Sequence, residues 1–274
     1  MTRFPILDKL RLILSREKTK SVGIALGGGV VWGTAHIGVL EAIEEEGITI
    51  NAIAGTSAGS IIASLYAFGI SLKDIKAAAE KLRMSDIFKI RIPRMGLAST
   101  EGIGKLVRSF LQDAVFEDAK IPLVVPATNL ITGQPHPFTS GPVADAVMAS
   151  SAIPGIFVPV RIENQVYVDG SLLADVPCQI LKMNGTDFVI GVDLVDRETF
   201  KKEPTNIFDV IMKSIHIMIN ETRMERLQFA DVVISPDVHD IGQFDFEKIP
   251  LLIRRGREAV SKHIEFIKKS TAHP

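Results

Sequence analysis

Five residues, Gly55-Thr56-Ser57-Ala58-Gly59, carry the clearest chemistry in the chain. They match the G-x-S-x-G pattern, in which a serine sits on a sharp strand-to-helix turn. Glycines flank such a serine because a Cβ there meets the adjoining backbone. The hydroxyl then stands at the carboxyl end of a strand, and the next helix aims its first amides at it. The setting fits: residues 51–54 (NAIA) read as a short apolar strand and residues 58–68 as a helix. Ser57 is therefore the candidate nucleophile.

A second turn precedes it. Residues 21–26 (SVGIAL) read as a strand that runs into Gly27-Gly28-Gly29 and then a helical pattern from Gly33. Such a turn cradles a phosphate or offers backbone N–H groups to an oxyanion. The dinucleotide pattern G-x-G-x-x-G fails here, because Val30 or Trp32 stands where a glycine is needed, and no P-loop lysine follows. With a nucleophile on the next strand, the oxyanion reading is the stronger.

A serine needs a base. Asp169 or Asp193 with His216, His239 or His263 would keep the acid-before-histidine order of α/β-hydrolases. His216 and His263 fall inside helical patterns and read as surface or core-rim residues. Asp169 stands out, because it ends the strand 165–168 (QVYV) and precedes Gly170, where α/β folds place functional groups.

These parts need a scaffold. The first 70 residues read strand–turn–helix twice over, the pattern of a parallel sheet with crossover helices. Helices are expected over 71–83, 101–112, 142–151, 207–229 and 250–269, and strands over 122–130, 135–139, 187–192 and 231–235. Residues 84–99 read as irregular. The reading is an α/β fold, a three-layer α/β/α domain with a mostly parallel central sheet. Residues 1–20 form an amphipathic helix and linker. Residues 21–274 form one domain, with core motifs at 22–184 and a C-terminal strand and helices at 187–269.

Composition bounds the rest. Hydrophobic residues are 46% of 274, enough for a large core. Lys+Arg (31) and Asp+Glu (32) cancel, which argues against nucleic acid as a partner. The single cysteine, Cys178, rules out an intrachain disulfide and fits a cytoplasmic location. No apolar run reaches the roughly 18–20 residues of a membrane span, and no secretory signal is visible. Two stretches suit peripheral membrane contact: 3–16, apolar on one helical face, and 84–97, where apolar and basic residues alternate.

The ordered set of motifs resembles the bacterial patatin-like phospholipases. It comprises Gly27-Gly28-Gly29, Ala35-His36-Ile37-Gly38-Val39-Leu40, Gly55-Thr56-Ser57-Ala58-Gly59 and Ala127-Thr128-Asn129. Thr132-Gly133, Ser150-Ser151-Ala152-Ile153-Pro154-Gly155 and Tyr167-Val168-Asp169-Gly170 complete it. The resemblance covers roughly residues 21–260. It implies a Ser–Asp dyad without histidine: Ser57 attacks a lipid ester, and Asp169 takes its proton and later activates water. It also implies an oxyanion hole at Gly28, Gly29 and Val30, with Gly27, Gly33, Gly55, Gly59 and Gly170 as supporting glycines.

The implied activity is that of a phospholipase A, lysophospholipase or carboxylesterase on phospholipid, lysophospholipid or another lipid ester. No cofactor or metal is needed. Three positions depart from the family pattern. Val30 replaces a glycine, Trp32 replaces a basic residue, and Ser171 follows Asp169-Gly170. A branched Cβ at 30 disfavours positive φ, and Trp32 offers apolar surface for an acyl channel. Two alternatives follow: a catalytically silent regulatory or lipid-binding relative, and an acyltransferase, which would need a histidine partner.

Overall fold

The computed structural model describes residues 20–87, 89–90, 96–194, 203–205 and 207–271. The stretch 3–16 lies outside the described residues, as do Phe88 and residues 91–95 of the 84–97 stretch. A three-layer α/β/α domain is built on a mostly parallel sheet. Strands β1 (Val22–Leu26), β2 (Ala52–Gly55), β5 (Leu123–Asn129), β9 (Phe188–Val192) and β10 (Val232–Ile234) run parallel. Their order is β10-β9-β1-β2-β5, and β8 (Gln165–Val168) and β7 (Val160–Ile162) extend the β5 edge antiparallel. Strand β6 (Pro135–Phe138) folds back on β5 after the Thr132-Gly133 turn, as that turn pattern predicts.

Alternation along the strands sorts side chains onto two faces. Ile24, Leu26, Ile53, Leu123, Val125, Ile190 and Val192 enter the larger core. There they meet α1 (Ala35–Glu45), α2 (Ala58–Ala67) and α10 (Ile249–Ser261). Ala25, Ala52, Ala54, Val124 and Val189 face the smaller core, with Cys178 and Leu181 of α8 (Cys178–Met183) and Leu227 of α9 (Ile207–Leu227). Small residues on that face let α8 lie close. A Cβ on Gly191 would stand 2.9 Å from Cys178 Sγ.

Helices α3 (Leu72–Lys81), α5 (Glu101–Leu111) and α6 (Val143–Ser150) form where the periodicity predicts. Three expectations are corrected. The final helix is two, α10 and α11 (Ile264–Thr271), because the His263 N–H bonds the Val260 carbonyl three residues back, tightening the last turn. Residues 84–99 are less irregular than expected, with α4 (Met84–Ile87) and a short pair, β3 (Lys89–Ile90) and β4 (Ala98–Ser99). Strand β7 is absent from the sequence reading, since only three residues pair and its turn rests on Glu163 at φ 53. No helix among the described residues is long and apolar enough to cross a membrane.

Candidate active site

Strands β1 and β2 lie side by side, and their carboxyl ends deliver Gly27 to Val30 and Thr56-Ser57 to one place. Ser57 caps α2 with φ 51 and ψ −124. A non-glycine residue held there stores about 1–3 kcal/mol of strain. Close packing holds it. A Cβ on Gly59 would stand 2.4 Å from the Leu26 carbonyl oxygen, and one on Gly55 2.3 Å from that of Gly59. Gly33 meets Ala58 as tightly, at 2.5 Å, which docks the glycine turn onto the start of α2.

Asp169 arrives from the other side, at the end of β8. Its backbone N–H donates to the Ala152 carbonyl at 2.9 Å, and the Thr128 hydroxyl donates to its carbonyl at the same distance. Gly170 lets the turn press on β5, since a Cβ there would lie 2.3 Å from the Pro126 oxygen. The structure brings the two functional groups together: Ser57 Oγ–H donates to Asp169 Oδ2 at 2.8 Å. Asp169 Oδ1 accepts the Ser171 amide at 2.8 Å.

Both side chains are buried. Burial pushes the Asp169 carboxyl up to about 6, against the lowering effect of its hydrogen bonds to Ser171 and Ser57, with nearby Asp175 adding to the rise. An ordinary aspartate is a poor base for an alcohol, and this one is shifted toward the working range of a general base.

The glycine turn carries strain of its own. Gly29 has φ 149 and Val30 has φ 53, so a β-branched residue occupies the left-handed region. Neighbours hold it there. Val31 N–H donates to the Gln243 carbonyl at 3.2 Å, and the Trp32 indole donates to the Ile241 carbonyl at 2.8 Å. The buried His36 imidazole bonds the Gly27 carbonyl at 2.8 Å. Burial lowers His36 to about 4, so it stays neutral and donates Nε2–H. Among the described residues, the Gly29 and Val30 amides have no hydrogen-bond acceptor. Beside Gly28, the Asp175 carboxyl lies against the turn, with Oδ1 3.1 Å from where a Gly28 Cβ would stand.

Ser57 stands where two cavities meet. One has mixed polarity; Asp169, Trp32, Asp175, His216, Asn220 and Gln243 line it among others. The other is almost wholly apolar, with about 850 Å³ of open space counting its mouth. Ile61, Leu65, Leu82, Ile103, Leu106 and Phe110 form much of its wall. Val30 and Ile153 border both. Trp32 is not among the residues that line the apolar cavity. Its bond to Ile241 pins the ring in the mixed cavity instead.

His216 lies on a helix and half-buried, as its pattern predicts, and it is no partner of the nucleophile. It lies on α9, inside the mixed cavity, where burial lowers its pKa and it pairs with the Gln243 amide at 3.3 Å. Its partner is Gln243 rather than Ser57 or Asp169. Asp193 pairs with Arg223 of α9, away from Ser57. His239 pairs with Asp237 on the surface, and His263 lies in the turn before α11.

The patatin-like phospholipase family model matches residues 24–182, more than half of the chain. The chain belongs to this family. Its patatin-like core thus runs from β1 to α8, through both strained turns. An uncharacterized NTE family protein of Mycobacterium tuberculosis is 28% identical over 92% of the chain and 48% of its own length. A lysophospholipase of Aspergillus fumigatus is 29% identical over 64% of the chain and 12% of its own length. The chain spans about half the length of the mycobacterial relatives it matches. Among solved structures, VipD from Legionella pneumophila has the same fold, with a TM-score of 0.56 at 15% identity, over 91% of this chain and 67% of that one.

Proposed function

We propose that this patatin-like chain is a lipid acyl hydrolase that forms an acyl-enzyme on Ser57 with Asp169 as its general base. The observation that carries the reading is the 2.8 Å Ser57–Asp169 hydrogen bond at the meeting point of the two cavities. The acyl chain enters the apolar cavity and the alcohol portion occupies the mixed one. As Ser57 Oγ attacks the ester carbon, Asp169 Oδ2 takes its proton. The carbonyl oxygen gains negative charge, and the Gly29 and Val30 amides, without an acceptor among the described residues, are the donors that meet it. Asp169 returns the proton to the leaving alcohol. It then deprotonates a water that attacks the acyl-enzyme, and Ser57 recovers its proton.

Two buried carboxylate–hydroxyl partners suffice for this cycle only in a dry site. Water would stabilise the ionised acid and weaken it as a base. Phospholipids, lysophospholipids and other lipid esters are the substrate class, and the named activity of the Aspergillus relative supports that choice. Peripheral membrane contact through residues 3–16 and 84–97 belongs to the same proposal; Met84 and Leu97 are exposed.

The test is a fluorophosphonate probe with mass spectrometry, run beside product analysis on phospholipid and lysophospholipid vesicles. An adduct on Ser57, and loss of fatty-acid release in Ser57→Ala and Asp169→Asn, are expected. Fatty-acid release undiminished in Asp169→Asn would remove Asp169 as the base. A folded protein that gives no adduct would leave the silent-relative reading in its place.

A further inference from the structure

The mixed cavity holds a second buried carboxyl that the proposed reaction leaves unused. Asp175 follows the short helix α7 (Ser171–Ala174) and lines the same cavity as Ser57 and Asp169. Ser171 stands between the two acids. Its amide donates to Asp169 Oδ1 at 2.8 Å, and its hydroxyl is within bonding reach of both carboxyl groups. On the far side, the Gly28 backbone faces Asp175 and favours its ionised form. A Cβ on Gly28 would stand 2.5 Å from Ser171 Oγ and 3.1 Å from Asp175 Oδ1, so these polar groups fill the space that any other residue would need.

Helix α9 closes the arrangement. Arg223 and Arg226 bring positive charge toward Asp175. Arg223 also pairs with Asp193, with Nε 3.1 Å from Oδ1, and Arg226 donates to the Leu172 carbonyl at 3.4 Å. One carboxylate therefore touches the glycine turn, reaches the Asp169 turn through Ser171, and faces the helix that walls the cavity.

We propose that Asp175 is a positioning residue: lodged against Ser171 and the Gly28 turn, it fixes the base and the glycine turn relative to Ser57, and the two neighbouring carboxyl groups oppose each other's ionisation. The inference rests on the Ser57–Asp169 reading. Two carboxylates in one buried site disfavour each other's ionisation. The charged and titratable groups near the pair come from α9: Arg223 and Arg226 beside Asp175, Arg223 also holding Asp193, and His216 in the wall of the same cavity. From the start of α2 the site receives only the neutral Ser57 hydroxyl, and from the glycine turn only amides.

Asp175→Asn keeps an oxygen toward the Gly28 backbone and removes the charge. It also leaves the arginines less neutralised, which shifts Asp169 in the same direction, downward. Asp175→Ala removes both the charge and the acceptor.

The experiment is the rate of fluorophosphonate labelling of Ser57 against pH, in the full chain, for wild type, Asp175→Asn and Asp175→Ala. Melting curves establish that each is folded. In Asp175→Asn the acid limb moves down by about half a pH unit or more. In Asp175→Ala the plateau rate falls about tenfold or more, because a displaced donor or base loses most of its effect. A purely structural role would lower the melting temperature and leave the limb in place. An unmoved limb in Asp175→Asn overturns the inference, whether or not Asp175→Ala folds. Wild-type protein that is never labelled would overturn the Ser57–Asp169 reading, and this one with it. Labelled wild type with an unmoved limb would overturn this one alone.

Discussion

The Ser150 hydroxyl accepts the backbone N–H of Ser57 at 3.0 Å and donates to the Pro126 carbonyl at 2.7 Å. The Ser150 carbonyl accepts the Gly170 amide at 3.2 Å, and two residues on Ala152 accepts the Asp169 amide. The end of α6 thus braces the serine turn and the aspartate turn against each other. Ser150→Ala leaves a buried amide and a buried carbonyl without their partner, at a cost of about 1–3 kcal/mol. Turnover is expected to fall about tenfold or more with KM little changed, since a loosened strained turn misplaces the hydroxyl. Steady-state kinetics and urea melts check this, and wild-type kcat in the variant would refute it.

With Asp169 as the proposed base, the site takes its pH dependence from this carboxyl. It titrates near 6 in the folded protein and near 3.8 as a free group. Activity should therefore rise with pH through about 6 as the base ionises. The stability effect has the opposite sense. Between the two values the folded state binds more protons than the unfolded one, so stability falls as pH rises. The full cost of the buried charge, on the order of 2–3 kcal/mol, is present above about 6 and absent below about 3.8. Asp169→Asn should thus melt higher than wild type at pH 8 while losing activity, and the gap should close toward pH 4. Calorimetry at three pH values measures it; a gap independent of pH would contradict the assignment.

Val30 and Val31 are adjacent and should respond differently to glycine. Val31 is buried in the core and lacks the positive φ of Val30. Removing it should cost roughly 3 kcal/mol or more from lost burial, cavity and backbone entropy. At Val30, relief of the left-handed conformation returns about 1–2 kcal/mol. Val30→Gly should then lie within about 1 kcal/mol of wild type, and at least 2 kcal/mol above Val31→Gly. Denaturant midpoints decide between this and equal losses.

Ile103 sits in the wall of the apolar cavity, on α5. A tryptophan there fills space that the proposed acyl chain needs. Ile103→Trp should shift the preferred p-nitrophenyl ester toward shorter chains and leave acetate-ester turnover nearly unchanged. An unaltered chain-length profile would place the acyl chain elsewhere.

His216 supplies a contrast. Its partner is Gln243, and burial favours its neutral form. His216→Ala should retain kcat within about threefold, with any change falling on KM, because a wall residue acts on binding rather than on proton transfer. A loss of two or more orders of magnitude would favour a serine–histidine mechanism.

Much of the site was legible because its constraints are local. A glycine–serine turn announces itself over five residues, and Asp169-Gly170 closes a readable strand. Even the strain at Val30 was foreseeable, as a branched residue where the family has glycine. What escaped depends on distance along the chain. Asp175, Arg223 and Arg226 converge only after β9 and α9 have wrapped the sheet. A helix such as α9 shows its periodicity but not which neighbour its polar side chains face. The setting of Trp32 was hidden for the same reason, since its ring answers to the carbonyl of Ile241, over two hundred residues later.

The placement of Ser57 between a hollow of mixed polarity and an apolar one bears on traffic as well as chemistry. Under the proposed reaction, the released alcohol leaves from one side while the fatty chain stays moored on the other. The second attacking molecule must come by the route the alcohol has just vacated. Water and any small alcohol dissolved nearby therefore queue at a single door. The balance between hydrolysis and acyl exchange becomes a matter of which arrives first. Shape and polarity at that door, around Trp32, Asn220 and Gln243, would govern the outcome more than the nucleophile itself.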